Sequence, residues 1–126
     1  MARPYKSEVL TRRTDADLSA EEWTLVKVTG DNDMDICGAG QLAFGALTED
    51  VADGSSTAVH LPVQVGPFIL VKCGGAITGG TLAMSDASGE AVACTTGNYS
   101  IGQAMETYAD GDVGLFQWAP SYYEEG

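Results

Sequence analysis

An internal duplication constrains this chain more than any other feature of its sequence. Residues 24–54 align without a gap with residues 81–111 at an offset of 57 positions, and nine of the 31 aligned positions are identical. Self-similarity at a fixed spacing is the signature of a repeated supersecondary unit. The identical pairs are Thr24 and Thr81, Leu25 and Leu82, Cys37 and Cys94, Gly40 and Gly97, Gly45 and Gly102, Glu49 and Glu106, Ala52 and Ala109, Asp53 and Asp110, and Gly54 and Gly111.

Most of the shared residues are types that favour particular backbone conformations, rather than types that take part in catalysis. Glycine permits positive φ and close backbone approach, and Asp-Gly favours a tight hairpin turn. Glu49 and Glu106 precede these turns, and we interpret them as solvated carboxylates rather than catalytic acids. The repeated turn and structural positions are Gly45, Asp53 and Gly54 in the first copy and Gly102, Asp110 and Gly111 in the second.

Short alternating segments predict an all-β fold. A length of 126 residues suits one domain, and no long stretch carries apolar residues at helical spacing. We expect an extended N-terminal arm over residues 1–20, a duplicated all-β domain over 21–119 and a C-terminal tail over 120–126. The predicted strands are 23–29, 33–37, 43–47, 57–65, 66–73, 81–85, 91–94, 100–105 and 113–118.

The charge distribution divides the chain into a basic front and an acidic body. The net charge is −12, yet the segment from Met1 to Arg13 carries +3, because four of the six basic residues lie there with a single acid. An acidic body disfavours direct contact with nucleic acid, and no apolar run is long enough to span a membrane. A basic arm predicts docking to an acidic protein surface. The candidate contact residues are Arg3, Tyr5, Lys6, Arg12 and Arg13.

Three cysteines without a C-x-x-C pair argue against a zinc site. Cys37 and Cys94 occupy equivalent positions in the two copies, and Cys73 lies between them. We interpret them as core thiols in a reducing compartment, with a Cys37–Cys94 disulfide as the alternative.

The acidic turn of the first copy offers a weak candidate for a metal. Asp31, Asp33 and Asp35 have the alternation of a calcium loop, but Ile36 replaces the required glycine and Leu42 the bidentate glutamate. Together with surface aromatics, this turn defines the alternative of a calcium-dependent adhesion or carbohydrate-binding module. The aromatics considered are Trp23, Tyr99 and Tyr108.

Two other functions find less support. His60 is the only histidine, so a Ser-His-Asp triad would depend wholly on it, and we expect a packing or surface residue. Residues 79–84 resemble the strand context of biotinyl or lipoyl carrier domains. The modified lysine of such a domain lies in a hairpin turn, whereas Lys27 and Lys72 fall on predicted strands.

Several motifs in order resemble one family. Residues 66–71 with 76–82, then 86–92, 97–106 and 109–112, are similar to the mid-chain and late signatures of the capsid cement, or head decoration, proteins of tailed bacteriophages, often grouped as DUF2190. Residues 44–49 and 52–54 resemble the earlier copy of that family. The similarity covers about residues 23–118, although Thr81 stands where members often carry aspartate.

This resemblance implies a compact β-barrel or β-tulip-like body on the outer surface of a phage head. It also implies binding to the major capsid protein, homotrimers between capsomers, stabilisation of the shell and no catalysis or cofactor. The protein would be made in the host cytoplasm and carried by the virion. The basic arm would meet acidic capsid loops, and the acidic body would face solvent.

Overall fold

A computed structural model of the chain describes residues 7–14, 18, 21–30, 33–48 and 59–123. All regular secondary structure in these ranges is β-strand, which confirms the all-β prediction, and none of the described residues forms a helix suited to crossing a bilayer. The strands are β1 (Ser7–Thr14), β2 (Leu25–Gly30), β3 (Asp33–Ile36), β4 (Gly45–Leu47), β5 (Val59–Lys72), β6 (Leu82–Ser85), β7 (Ala91–Ala93), β8 (Asn98–Ser100), β9 (Gly102–Gln103), β10 (Val113–Gln117) and β11 (Ser121–Tyr123).

The strands are divided among three sheets. The largest has the order β1-β3-β2-β4-β5-β10, with a further pairing between β1 and β5. A second sheet has the order β7-β6-β9, and β11 pairs with β8 in the third. The pairings within these sheets are antiparallel except that of β1 with β3. A compact all-β domain is therefore confirmed, with its described strands in several sheets rather than in one closed barrel.

The two copies of the repeat fold in the same register. Strands β2, β3 and β4 of the first copy correspond to β6, β7 and β9 of the second. The partner pairs common to both units keep the offset found in the sequence alignment, so the duplication is structural as well as sequential. The pairs are Leu25↔Ala46 with Leu82↔Gln103, Val26↔Gly45 with Ala83↔Gly102, Val26↔Ile36 with Ala83↔Ala93, Lys27↔Asp35 with Met84↔Val92, and Val28↔Met34 with Ser85↔Ala91.

Backbone conformation repeats even where the residue type does not. Trp23 has φ of 67° and its N–H donates to the Leu47 carbonyl at 3.1 Å. The equivalent Gly80 has φ of 84° and donates to the Ala104 carbonyl at 2.8 Å. Left-handed backbone is unusual for a bulky side chain. The shared hydrogen-bond pattern therefore holds Trp23 in a conformation that glycine adopts freely.

Two apolar clusters form the core. The larger one draws on both copies and on the second half of β5, whereas the smaller one combines residues of the first copy with Leu18 and Val63. Leu25 belongs to the larger cluster and Val26 to the smaller, since successive side chains of β2 point to opposite faces. The largest fully buried members of the larger cluster are Phe116, Leu25, Ile69, Ile77 and Ile101. Those of the smaller cluster are Met34, Leu47, Val26 and Val63.

The long strand β5 connects the two halves by pairing with a different neighbour at each end. Its first part pairs with β1 and β4, and its second part pairs with β10. The Gly66-Pro67 peptide, which is cis, separates the two parts. Sequence analysis predicted two strands here, over 57–65 and 66–73, and the structure joins them.

The ends of the chain take part in the sheets where the structure describes them. Residues 7–14 of the predicted arm form β1, which pairs with β5 from Ser7↔Pro67 to Thr14↔Val59. Within the predicted tail, Ser121–Tyr123 forms β11, a strand that the sequence analysis did not assign. The predicted strand 100–105 is divided between β8 and β9. The division into arm, domain and tail stays a prediction.

Candidate functional site

The repeated glycines serve close packing and turning. A Cβ on Gly45 would fall on the Gln64 carbonyl oxygen, and one on Gly102 would fall on the Gln117 carbonyl oxygen. Asp110 and Gly111 form a turn closed by the Asp112 N–H, which donates to the Ala109 carbonyl at 3.1 Å. Gly111 has φ of 91°, as this turn requires. The first-copy turn at Asp53 and Gly54 lies outside the described residues.

The predicted arm contributes one described cation to the surface. The Arg12 guanidinium carbon lies 5.4 Å from the centre of the Phe44 ring, and Arg12 Nε is buried with no hydrogen-bond partner in the described ranges. The backbone of Arg13 pairs with His60 and with Asp33. Arg3, Tyr5 and Lys6 lie outside the described residues. The structure thus brings Arg12 beside an aromatic residue of the first repeat.

Phe44 belongs to an open, largely apolar groove of about 500 Å³. Val28 and Leu42, which are 52 % and 54 % exposed, both line this groove, and neighbouring exposed apolar side chains mark interaction sites where scattered single ones do not. Trp118 closes one wall after β10 ends. The groove is lined by Lys27, Val28, Gln41, Leu42, Ala43, Phe44, Trp118 and Pro120.

One cation lines this apolar groove, and a second contacts one of its lining residues. Lys27 Nζ donates to Gln41 Oε1 at 2.8 Å, so its ammonium group is held at the groove wall. Arg12 approaches from β1 through the face of Phe44. A cation over an aromatic ring is attracted by the negative face of the ring. The arrangement suits a ligand with apolar and acidic groups, and among its described residues it contains no pair of groups poised for acid–base or nucleophilic chemistry.

The acidic turn provides no cluster of ligands within the described ranges. Asp35 Oδ1 accepts a hydrogen bond from the Ile36 N–H at 2.8 Å, and Asp33 begins β3. Asp31 lies outside the described residues, among which no group of three or more His, Cys, Asp or Glu could hold a metal ion. The calcium hypothesis therefore gains no support from this turn.

Two of the three aromatics considered for carbohydrate binding, Tyr99 and Tyr108, have structural partners. The Tyr108 hydroxyl accepts from the Leu115 N–H at 2.8 Å and donates to the Leu115 carbonyl at 3.2 Å. Tyr99 contacts Tyr122 edge to face, with ring centroids 5.3 Å apart. Burial raises the pKa of Tyr108, although the hydrogen bond to Leu115 lowers it in part. These contacts favour a packing role.

The surroundings of the cysteines and lysines also favour structural rather than catalytic or carrier roles. Cys37 and Cys73 are buried and free, as predicted, whereas Cys94 is only half-buried and free. Burial raises the pKa of Cys37, and burial with the nearby Asp112 carboxylate raises the pKa of Cys73 to about 11, so neither is an activated nucleophile. The lysines lie on β2 and β5 as predicted, with Lys72 paired to Glu90 at 3.4 Å. This placement argues against a carrier domain.

Sequence reasoning did not find the groove. Its walls come from residues 27–28, 41–44, 118 and 120, which no single motif joins. The repeat alignment pairs Leu42 with Tyr99, but only the structure shows that the Tyr99 ring contacts the Tyr122 ring. The alignment alone therefore gave no signal that Leu42 lies in a groove.

Comparison with solved structures identifies a similar fold. The crystal structure of the head fiber gp8.5 N base in bacteriophage phi29 matches with a TM-score of 0.71 and 16 % sequence identity, covering 90 % of this chain and 95 % of the other. At this identity the likeness establishes the fold alone. No protein-family model matches the sequence. No curated protein matches it either. Membership of the DUF2190-like family stays a prediction.

Proposed function

We propose that this chain is a structural protein of a bacteriophage head. In this role it attaches to the outer surface of the capsid as a cement or decoration protein and stabilises the shell by bridging capsomers. Its partner is the major capsid protein, and it acts on the head as a homotrimer. The observation that carries the proposal is the likeness of nearly the whole chain to a head fiber base.

The physical properties of the chain support this role. Buried thiols, lysines held by polar partners and glycines required for packing suit a rigid body without catalysis. A ligand that binds only the assembled state stabilises that state by linkage, and many weak contacts on a lattice add by avidity. The cations Arg3, Lys6, Arg12 and Arg13 would meet acidic capsid loops, with Tyr5 supplying apolar contact.

The test is reconstitution on phage heads purified without this protein. Wild-type protein is expected to co-sediment with the heads and to raise the temperature at which they lose their contents. No binding by the wild-type protein would contradict the proposed function itself.

A second set of variants tests the arm. Removal of residues 2–6 leaves β1 intact, and the substitutions Arg3→Ser and Lys6→Ser keep the length while removing the charge. Either change is expected to lower head affinity by about two- to tenfold per chain, since exposed ion pairs are individually weak. A thermal melt checks that the body stays folded. Unchanged occupancy would show that the arm is not the contact.

A further inference from the structure

The two copies of the repeat differ in how one edge is covered. In the second copy, β11 pairs antiparallel with β8, and Tyr122 lies opposite Tyr99. In the repeat alignment, β8 corresponds to residues 41–43, which line the groove in the first copy. The chain therefore contains two versions of one strand-pairing edge, here called a seat: residues 98–100 in the second copy and residues 41–43 in the first. The second-copy seat is paired with β11 of the same chain.

Among the residues that the structure describes, no strand pairs with residues 41–43, because the segment equivalent to β11 pairs elsewhere. Val63 pairs with Leu47, and Phe116 pairs with Ala104 at the equivalent place in the second copy. Val63 thus occupies the place in the first copy that Phe116 occupies in the second. Strand β11 begins five residues after Phe116, so the segment of the first copy equivalent to β11 is residues 68–70. However, residues 68–70 pair with β10. They are thus committed to the larger sheet and do not reach residues 41–43 as strand partners.

Backbone pairing differs between the two seats in the same sense. Ser100 pairs with Ser121 of β11, whereas the N–H and carbonyl groups of its counterpart Ala43 make no backbone hydrogen bond within the described ranges. The Tyr99 N–H points away from β11 and donates to the Gly40 carbonyl at 2.9 Å. An extended segment with unpaired groups is a template for another strand.

Side-chain exposure follows the same contrast at two neighbouring positions, whereas Leu42 and its counterpart Tyr99 are both exposed, at 54 % and 38 %. Val28 is 52 % exposed, whereas its counterpart Ser85 is fully buried. Phe44 is half-buried, whereas its counterpart Ile101 is 1 % exposed. Coverage of the first-copy seat would remove the exposed apolar groove from water, which favours association.

We propose that residues 41–43 accept an extended strand of a partner protein, which pairs antiparallel with this edge and places an aromatic side chain against Leu42 in the groove. The occupant is defined by β11, which carries a tyrosine opposite Tyr99 and continues into Glu124 and Glu125. Acidic residues beside the aromatic suit Lys27 in the groove and Arg12 next to Phe44. This strand-acceptor site goes beyond the proposed function and does not depend on it.

The test uses the full chain labelled with ¹⁵N and a synthetic peptide with the sequence of residues 119–126. Saturable shifts are expected at the Leu42 and Ala43 amides and at the Trp118 indole. A peptide with both tyrosines replaced by alanine should bind at least about tenfold more weakly, because aromatic anchors dominate such contacts. A peptide N-methylated at its second tyrosine should lose a similar factor, because main-chain pairing contributes to strand addition and Tyr123, rather than Tyr122, is placed to hydrogen-bond with the edge.

Matched surface variants locate the site. Leu42→Asp is expected to weaken the peptide by at least about tenfold, because it puts a desolvated charge against the aromatic ring. Met105→Asp changes a residue of similar exposure, 48 %, outside the groove and should leave binding unchanged. Comparable thermal melts of the two variants show that both are folded.

Several outcomes would overturn the proposal. These are no binding by wild-type protein, equal binding by Leu42→Asp, equal binding of the N-methylated peptide, or shifts centred on Tyr99 rather than Leu42. Analytical sedimentation of the protein alone tests whether a second copy of the chain, rather than a partner protein, occupies the groove. If wild-type protein self-associates and Leu42→Asp makes it monomeric, a second copy fills the groove and the choice of a partner strand is wrong.

Discussion

Gln64 is a buried polar side chain that holds the two parts of β5 together. Its amide nitrogen donates to the carbonyls of Leu47 at 3.2 Å and Leu70 at 3.0 Å, and its oxygen accepts from the Leu70 N–H at 3.0 Å. Both donors of the amide are used, so its burial leaves no donor unsatisfied. The same side chain thereby joins β4 to β5 and links the segments on either side of residues 66–67.

Replacement of Gln64 by leucine keeps the volume but removes these hydrogen bonds. We expect Gln64→Leu to lower the free energy of unfolding by about 2–4 kcal/mol, because the Leu70 N–H and carbonyl lose their partner, while the Leu47 carbonyl keeps only the Trp23 N–H. Urea unfolding followed by circular dichroism measures the change. The control is Gln103→Leu, an exposed glutamine of the second copy, which should change stability by less than about 0.5 kcal/mol. Equal effects of the two substitutions would contradict this role.

Ionisation of the buried Cys73 thiol is expected to make the folded protein less stable as the pH rises above neutral. Its folded pKa is raised from 9.0 to about 11 by burial, with a contribution from Asp112. Below pH 9 the thiol is protonated in both the folded and the unfolded chain, so its full contribution to the free energy of unfolding is present. Above pH 9 the unfolded chain ionises first, and stability falls until about pH 11. We expect this thiol to account for a loss of up to about 2–3 kcal/mol between these values.

Comparison with Cys73→Ala isolates this effect. The variant should be less stable at neutral pH but lose less stability between pH 9 and 11. A residual slope is expected because burial also raises the pKa of Cys37, Cys94 and Tyr108. Unfolding curves at several pH values would measure both slopes, and identical slopes would rule out the assignment.

At the scale of elements, the repeated unit is a short hairpin whose third strand must approach its neighbour closely. Strand β4 lies against β5 at Gly45, and β9 lies against the end of β10 at Gly102. The repeated spacing of these glycines along the chain thus reflects one packing requirement met twice. Gly102 additionally has φ of 132°, where other residues are strained.

Alanine at these two positions should break the unit. We expect Gly45→Ala and Gly102→Ala each to cost at least about 3 kcal/mol, because the added Cβ meets a backbone carbonyl that cannot rotate away. Gly30→Ala is the matched control on β2, with open space around its Cβ, and should stay within about 1 kcal/mol of wild type. Thermal unfolding would show the difference, and tolerance of both substitutions would refute the packing argument.

At the scale of the whole molecule, the larger core joins the copies into one unit. It contains Leu25 and Cys37 from the first copy, Ala83 and Ile101 from the second, and Ile69 from the connecting strand. Neither copy encloses these side chains alone. This is the usual situation in duplicated folds, where one repeat cannot bury its apolar face.

The second half should therefore not fold by itself. We expect a fragment of residues 74–126 to give an NMR spectrum with little amide dispersion, and the full chain to unfold in a single cooperative transition. Addition of a fragment of residues 1–73 should restore dispersion if the halves assemble. A well-dispersed spectrum of the isolated fragment would contradict the shared core.

Most of the strand pattern could be predicted because it depends on local sequence. Alternation placed the strands of both copies within a few residues of their observed ends, and the offset of the repeat predicted the common register. Strand β11 was missed because Ser121–Tyr123 is short and its pairing depends on β8. The candidate contacts of the arm could be named from charge alone, but their surroundings could not.

The sequence by itself determined the class of fold, its duplication and the positions where glycine is required, since these follow from periodicity and from backbone sterics. Only the tertiary structure decided that one copy is covered by β11 and the other is left with a groove. The two seats are similar over their own residues, and the difference arises from where distant segments go. After Gly66 and Pro67 the chain pairs with β10, whereas after Pro120 it returns to β8. Contacts between segments far apart in sequence carry no local pattern that could reveal them in advance.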